Sequence, residues 1–75
     1  MHNGTIIAEV TKRARASWNG PALETFTSQD PENDAWRMHW INTGKLWAKE
    51  CRDQGLEETA KTIDKHIEWF ERMSV

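Results

Sequence analysis

Residues 30–73 read DPENDAWRMHWINTGKLWAKECRDQGLEETAKTIDKHIEWFERM, and the phase of their apolar positions decides the fold. Asp30-Pro31 opens a helix. Asp is a favoured cap, Pro suits the first helical position, and Glu32 and Asp34 complement the positive end of the dipole. At about 100° per residue, Trp36, Trp40, Trp47 and Cys51 fall within a stripe roughly 60° wide, bordered by Gly44 and extended by Ile41 and Ala48. This helix is expected to run to about Gln54. Beyond Gly55, the residues Leu56, Ala60, Ile63, Ile67 and Phe70 share a second narrow face at i, i+3/i+4 spacing. Glu57 and Glu58 stand in the first turn of that helix, which reaches Met73. Carried straight through Gly55, the second stripe would land nearly opposite the first, and one rod would need two cores. A break at Gly55 turns the stripes toward each other in an antiparallel hairpin. The straight form survives only if a partner covers each face.

Upstream, a first helix is expected from Thr5, as N-cap, to Trp18. Ile6, Ile7, Val10 and Ala14 share one side of it, and Lys12, Arg13 and Arg15 lie in its C-terminal half, where cations suit the dipole. Asn19-Gly20-Pro21 stops it, with Gly20 supplying a left-handed cap. One or two helical turns over 21–27 would point Leu23 and Phe26 inward, and Ser28-Gln29-Asp30 turns into the second helix. The expected core is Ile6, Val10 and Ala14, then Trp36, Trp40, Trp47 and Cys51, then Leu56, Ala60, Ile63, Ile67 and Phe70, with Leu23 and Phe26 plugging one end. The fold class is all-α: a single domain over 1–75, a bundle of about three helices whose last two form a hairpin, open to completion by dimerisation.

Size and composition narrow the function. A chain of 75 residues buries only about 60% of the surface it exposes when unfolded, so it needs a staple or very tight packing. Cys51 is the only cysteine, which excludes an internal disulfide and suits a reducing compartment. Ten basic and twelve acidic residues leave a net charge of −2, too weak a field to predict strong binding to nucleic acid or to a membrane surface. No apolar run approaches the ~20 residues of a membrane span. Met1-His2-Asn3-Gly4 lacks the basic and apolar regions of a signal peptide. A cytoplasmic protein that starts at its own methionine is expected.

Chemistry is sparse. The possible metal ligands His2, His39, His66 and Cys51 include no pair at i, i+3 or i, i+4 and no CxxC or HExxH motif, so no metal and no cofactor are expected. Cys51 falls on the apolar stripe, where burial makes a thiol inert. Glu57 and Glu58 are explained by the helix dipole. No Gly-rich phosphate loop is present, and no catalytic residue is assigned. A helix-turn-helix centred on Gly55 would open its recognition helix with Glu57-Glu58, which repel phosphate.

The remaining signal is surplus indole: five Trp, two Phe and no Tyr. Each Trp is among the largest apolar loads that a core can carry. Trp69 lies roughly 140° from the centre of the Leu56 stripe, and Met73, Leu46 and Met38 are also displaced from the core faces. Gly44 sits inside a helix at a cost of about 1 kcal/mol relative to Ala, as if to admit a closely packed partner helix. These five positions, Trp69, Met73, Leu46, Met38 and Gly44, are the expected protein interface. The function expected is a non-enzymatic regulator, adaptor or inhibitor that docks on another protein and forms a homodimer. Small phage and mobile-element products are the analogy. The alternative is nucleic-acid or nucleotide binding through Lys12, Arg13 and Arg15 with stacked Trp.

Overall fold

The computed structural model describes residues 3–73, with side chains from 4 to 72. Helix α1 (Asn3–Ser17) leads through a single 3-10 turn (Leu23–Thr25) to α2 (Pro31–Asp53), and α3 (Glu57–Met73) follows. No strand occurs among the described residues. The 23 residues of α2, at about 1.5 Å each, account for most of the 38 Å long axis. α3 returns antiparallel along α2. The ion pairs Arg52–Asp64 and Lys45–Glu71 fall in reversed order along the two helices. α1 lies across the pair and leans mainly on α2. The hairpin expected from stripe phase is therefore present.

The reversal at Gly55 has a specific mechanism. Gly55 takes φ 81°, the only positive φ among the described residues. The Leu56 N–H donates to the Cys51 carbonyl at 2.7 Å, and the Gly55 N–H donates to the Arg52 carbonyl at 3.1 Å. Together these form a Schellman motif, which satisfies carbonyls that the helix end would leave bare. The same geometry corrects the expectation for Leu56. This residue belongs to the reversal and precedes α3, so its side chain is 48% exposed and not part of the core stripe.

Other local expectations need correction. The backbone is already helical at Asn3, so Thr5 lies inside α1 and does not cap it. Gly20 is not left-handed. Its missing side chain instead admits the Trp18 indole, whose ring carbons lie as close as 2.2 Å to where a Cβ would stand. Asp30 occupies the N-cap position of α2 but makes no side-chain cap bond. Its carboxylate accepts the Thr27 N–H at 2.9 Å and shapes the preceding turn.

The core is Ile6, Val10 and Ala14 from α1, Trp40, Ile41, Ala48 and Cys51 from α2, and Ala60, Ile63 and Ile67 from α3. Trp36, Trp47 and Phe70, expected inside, pack on its margin only half-buried. No polar or charged residue is buried among the described residues, so the centre is held by apolar contact alone. The Trp40 indole N–H, at the edge of this core, donates to the Thr11 hydroxyl at 3.1 Å.

Gly44 is the tightest point. A Cβ there would meet Ile67 carbons at 3.1 and 3.2 Å and a Val10 carbon at 3.7 Å. The close approach that its missing side chain allows is thus between the three helices of one chain. Gly44, expected at an interface with a partner, is buried inside the monomer. Gly44→Leu should lower the unfolding free energy by about 1–3 kcal/mol in a urea titration, through overpacking against Ile67 and Val10. A variant as stable as the parent would show that the notch is unnecessary. Gly55→Ala meets no steric obstacle and should still cost about 1–2 kcal/mol, because it forces a side chain into the left-handed region.

Candidate functional site: an aromatic cleft beside an exposed tryptophan

The end of the bundle away from Gly55 holds a cleft of about 580 Å³, within the roughly 300–1,000 Å³ range typical of small-ligand sites. One wall is the Ile7, Thr11, Arg15 edge of α1. Phe26 and Leu23 close a second side from the connecting segment. Trp36, Arg37 and Trp40 project from the first half of α2, and Phe70 of α3 completes the hollow. Trp40 and Phe70 lie 4.4 Å apart between ring centroids at 51°. The Trp40 N–H is already spent on Thr11, whose own hydroxyl donates to the Ile7 carbonyl at 2.8 Å.

A second aromatic group ties the connecting segment to the bundle. Trp18 meets Phe26 at 6.1 Å and Trp36 at 5.5 Å, both edge-to-face, and tilts over His39 at 5.4 Å. Edge-to-face pairs contribute about 0.5–1.5 kcal/mol each beyond burial. The Trp18 N–H donates to the Pro21 carbonyl at 2.9 Å, which pins the segment just after α1. Leu23 and Phe26 are half-buried there, so the expected plug is partial and leaves the cleft open.

Ser17 and His39 form a pair that the sequence reading did not single out. The Ser17 hydroxyl lies 2.9 Å from His39 Nε2, a spacing that suits nucleophile and base. Nε2 also lies 3.1 Å from the Ala14 carbonyl oxygen, which can only accept. In the tautomer with the proton on Nε2 the ring donates to that carbonyl and does not act as base toward Ser17. The Ser17 hydroxyl donates back to the Arg13 or Ala14 carbonyl. The pair closes the C-terminal end of α1, where carbonyls lack intrahelical partners.

The five expected interface positions do not form one patch. Trp69 is 53% exposed and rests edge-on against Phe70 at 5.2 Å, which sets it beside the cleft. Leu46 (65% exposed) and Met38 (54%) are on α2. Leu46 lies about 160° round α2 from Gly44 and so faces away from the bundle. Met38 and Leu46 are eight positions apart, or about 12 Å along the axis. Gly44 is interior. Met73 is the last described residue of α3 and its side chain lies outside the described ones, as does His2.

Nor do all three cations of the alternative reading share one side of α1. Arg13 pairs with Glu9 at 3.3 Å and Glu50 at 3.9 Å, and its guanidinium lies 4.8 Å over the Trp47 ring. Arg15 is about 200° further round α1, on the cleft wall. Lys12 is exposed and lies about 60° round the helix from Arg15, so these two share a side of α1 that Arg13 does not. Among the described residues no cluster of three or more His, Cys, Asp or Glu is placed to hold a metal, and no helix is long and apolar enough to cross a membrane.

Cys51 is buried in the core. Burial pushes its thiol above the ordinary value near 9, Arg13 pulls it back only in part, and Glu50 pushes the same way as burial. The neutral thiol is thus favoured by folding. Its stabilising contribution is whole below about pH 9 and should fade as pH rises toward the folded-state value. At neutral pH a maleimide should modify Cys51 only as fast as the chain unfolds, as read by mass spectrometry with and without guanidinium. Rapid labelling of the native protein would place the thiol at the surface.

No known protein family, curated protein or solved structure matches the chain, so function is argued from this geometry alone.

Proposed function

We propose that this domain is a non-enzymatic docking module that binds protein through the exposed indole of Trp69. The observation that carries the reading is the state of the tryptophans. Only Trp40 is enclosed, Trp18, Trp36 and Trp47 are half-buried, and Trp69 is more than half exposed. An exposed Trp seated on a rigid aromatic neighbour has the character of an interface anchor, and Phe70 supplies that seat. The inert position of Cys51 and the contact of His39 Nε2 with the Ala14 carbonyl support a binding role over a catalytic one. A lone reduced thiol agrees with a cytoplasmic home.

A second copy is the simplest partner. A two-fold contact centred on Trp69 would apply one anchor to the same surface twice. Gly44 and the helix crossing around it take no part, because they are used within the chain. The nucleic-acid alternative has less behind it, since Arg13 is engaged in two ion pairs and stands off the side that Lys12 and Arg15 share.

Light scattering across a dilution series reads self-association directly. Trp69→Ala should abolish it while changing the unfolding free energy by less than about 1 kcal/mol. Trp40→Ala, by contrast, should cost about 3–5 kcal/mol. If Trp69→Ala destabilises the monomer as much as Trp40→Ala, Trp69 is structural and the reading fails. If the chain stays single at every concentration, the partner is a different protein. A photo-crosslinker at position 69 should then capture it in a complex that persists at about 1 M salt. Capture of salt-labile nucleic acid would favour the alternative.

A further inference from the structure

We infer that the cleft between α1, the connecting segment and α2 is a binding site for a small aromatic carboxylate. This goes beyond the docking reading and does not depend on it.

Shape comes first. The hollow, about 580 Å³, has contributions from all three helices and the connecting segment, so it suits a compact body better than an extended chain. Its apolar lining is mainly aromatic: Phe26, Trp36, Trp40 and Phe70. Rings offer faces and edges for a flat ligand, with preferred offset or edge-to-face contacts. The aliphatic members, Ile7 and Leu23, sit on the walls.

Charge decides the head group. Arg15 and Arg37 both line the cleft, and no carboxylate does. The Arg15 guanidinium makes no ion pair or hydrogen bond with any other described residue, whereas that of Arg13 two positions earlier makes two ion pairs. Arg37 holds Asp34, which is largely exposed, so an entering carboxylate could share its guanidinium fork. A guanidinium presents paired N–H donors that match a carboxylate in two parallel bonds. Arg15 also serves the dipole of α1 as the basic residue of its last turn, but that role leaves its donors unspent.

Three probes with one ring system separate shape from charge: 2-naphthoate, 2-naphthylmethanol and protonated 2-naphthylmethylamine. Calorimetric titration of the whole chain should show the carboxylate binding at least about tenfold tighter than the alcohol, with the amine weakest. In NMR spectra the indole N–H signals of Trp36 and Trp40 should move, and the amide of Leu46 should not. The double variant Arg15→Gln/Arg37→Gln changes only surface side chains. It should bring the carboxylate down to the affinity of the alcohol and leave the alcohol unchanged. Equal binding of the three probes would reduce the cleft to a generic apolar hollow. No heat and no shifts at about 10 mM ligand would make it a solvent-filled gap. Either result overturns the assignment. Loss of alcohol binding in the double variant would likewise overturn it, by showing that the arginines shape the cleft and do not read charge.

Discussion

The fold depends on a notch. At Gly44 helix α2 has no side chain, and Ile67 of α3 and Val10 of α1 close over the gap. Contacts of 3.1–3.2 Å to a would-be Cβ leave no room for even a methyl group without movement. Ala14, Ala48 and Ala60 keep the neighbouring positions small, and all three are essentially sealed from solvent. A chain of this length without a disulfide has few other sources of stability. Close approach raises the number of dispersion contacts per residue and offsets the intrinsic cost of glycine in a helix. The surface ion pairs that link the helices, Arg13–Glu50, Lys45–Glu71 and Arg52–Asp64, are half-exposed and contribute little by comparison.

Where small residues bring the helices together at mid-bundle, large rings occupy one end. Trp40 and Phe70 meet there, with Trp36 and Phe26 nearby and Trp69 outside. Rings are rigid and cannot fill an irregular space as methionine can. A hollow among them follows from the shapes of the side chains. The connecting segment is held over this end by Trp18, which meets Phe26 and Trp36 edge-to-face, hydrogen-bonds to the Pro21 carbonyl and takes up the space that Gly20 leaves without a side chain. Both proposed binding surfaces thus arise at the end where packing by small residues gives way to packing by rings.

Much of the architecture was readable in the chain, and the misses have physical causes. The inner helix boundaries, from the end of α1 to the start of α3, came within about two residues, because Pro31 and the Glu57-Glu58 pair are strong local signals. Leu56 was misplaced because periodicity is blind to the Schellman reversal, which exposes it before α3 begins. Gly20 was read as a left-handed cap from local chemistry, whereas a ring two positions earlier needed the space. Gly44 was recognised as a close-contact point, but a wheel diagram of one helix cannot say whose helix arrives. The cleft was invisible, since Phe26, Arg15, Arg37 and Phe70 stand on four different elements.

The sequence by itself determined that the chain is helical, that it breaks at Gly55, and which faces must be covered, because helical period and the freedom of glycine are local properties. Only the tertiary structure decided that Gly44 is filled from within, that Arg13 is engaged while Arg15 is left on a cleft wall, and that Trp69 remains outside beside Phe70. Each of these is a contact between residues far apart in the chain. Such contacts depend on how helices rotate and cross, and that is settled by the volumes of side chains meeting in three dimensions.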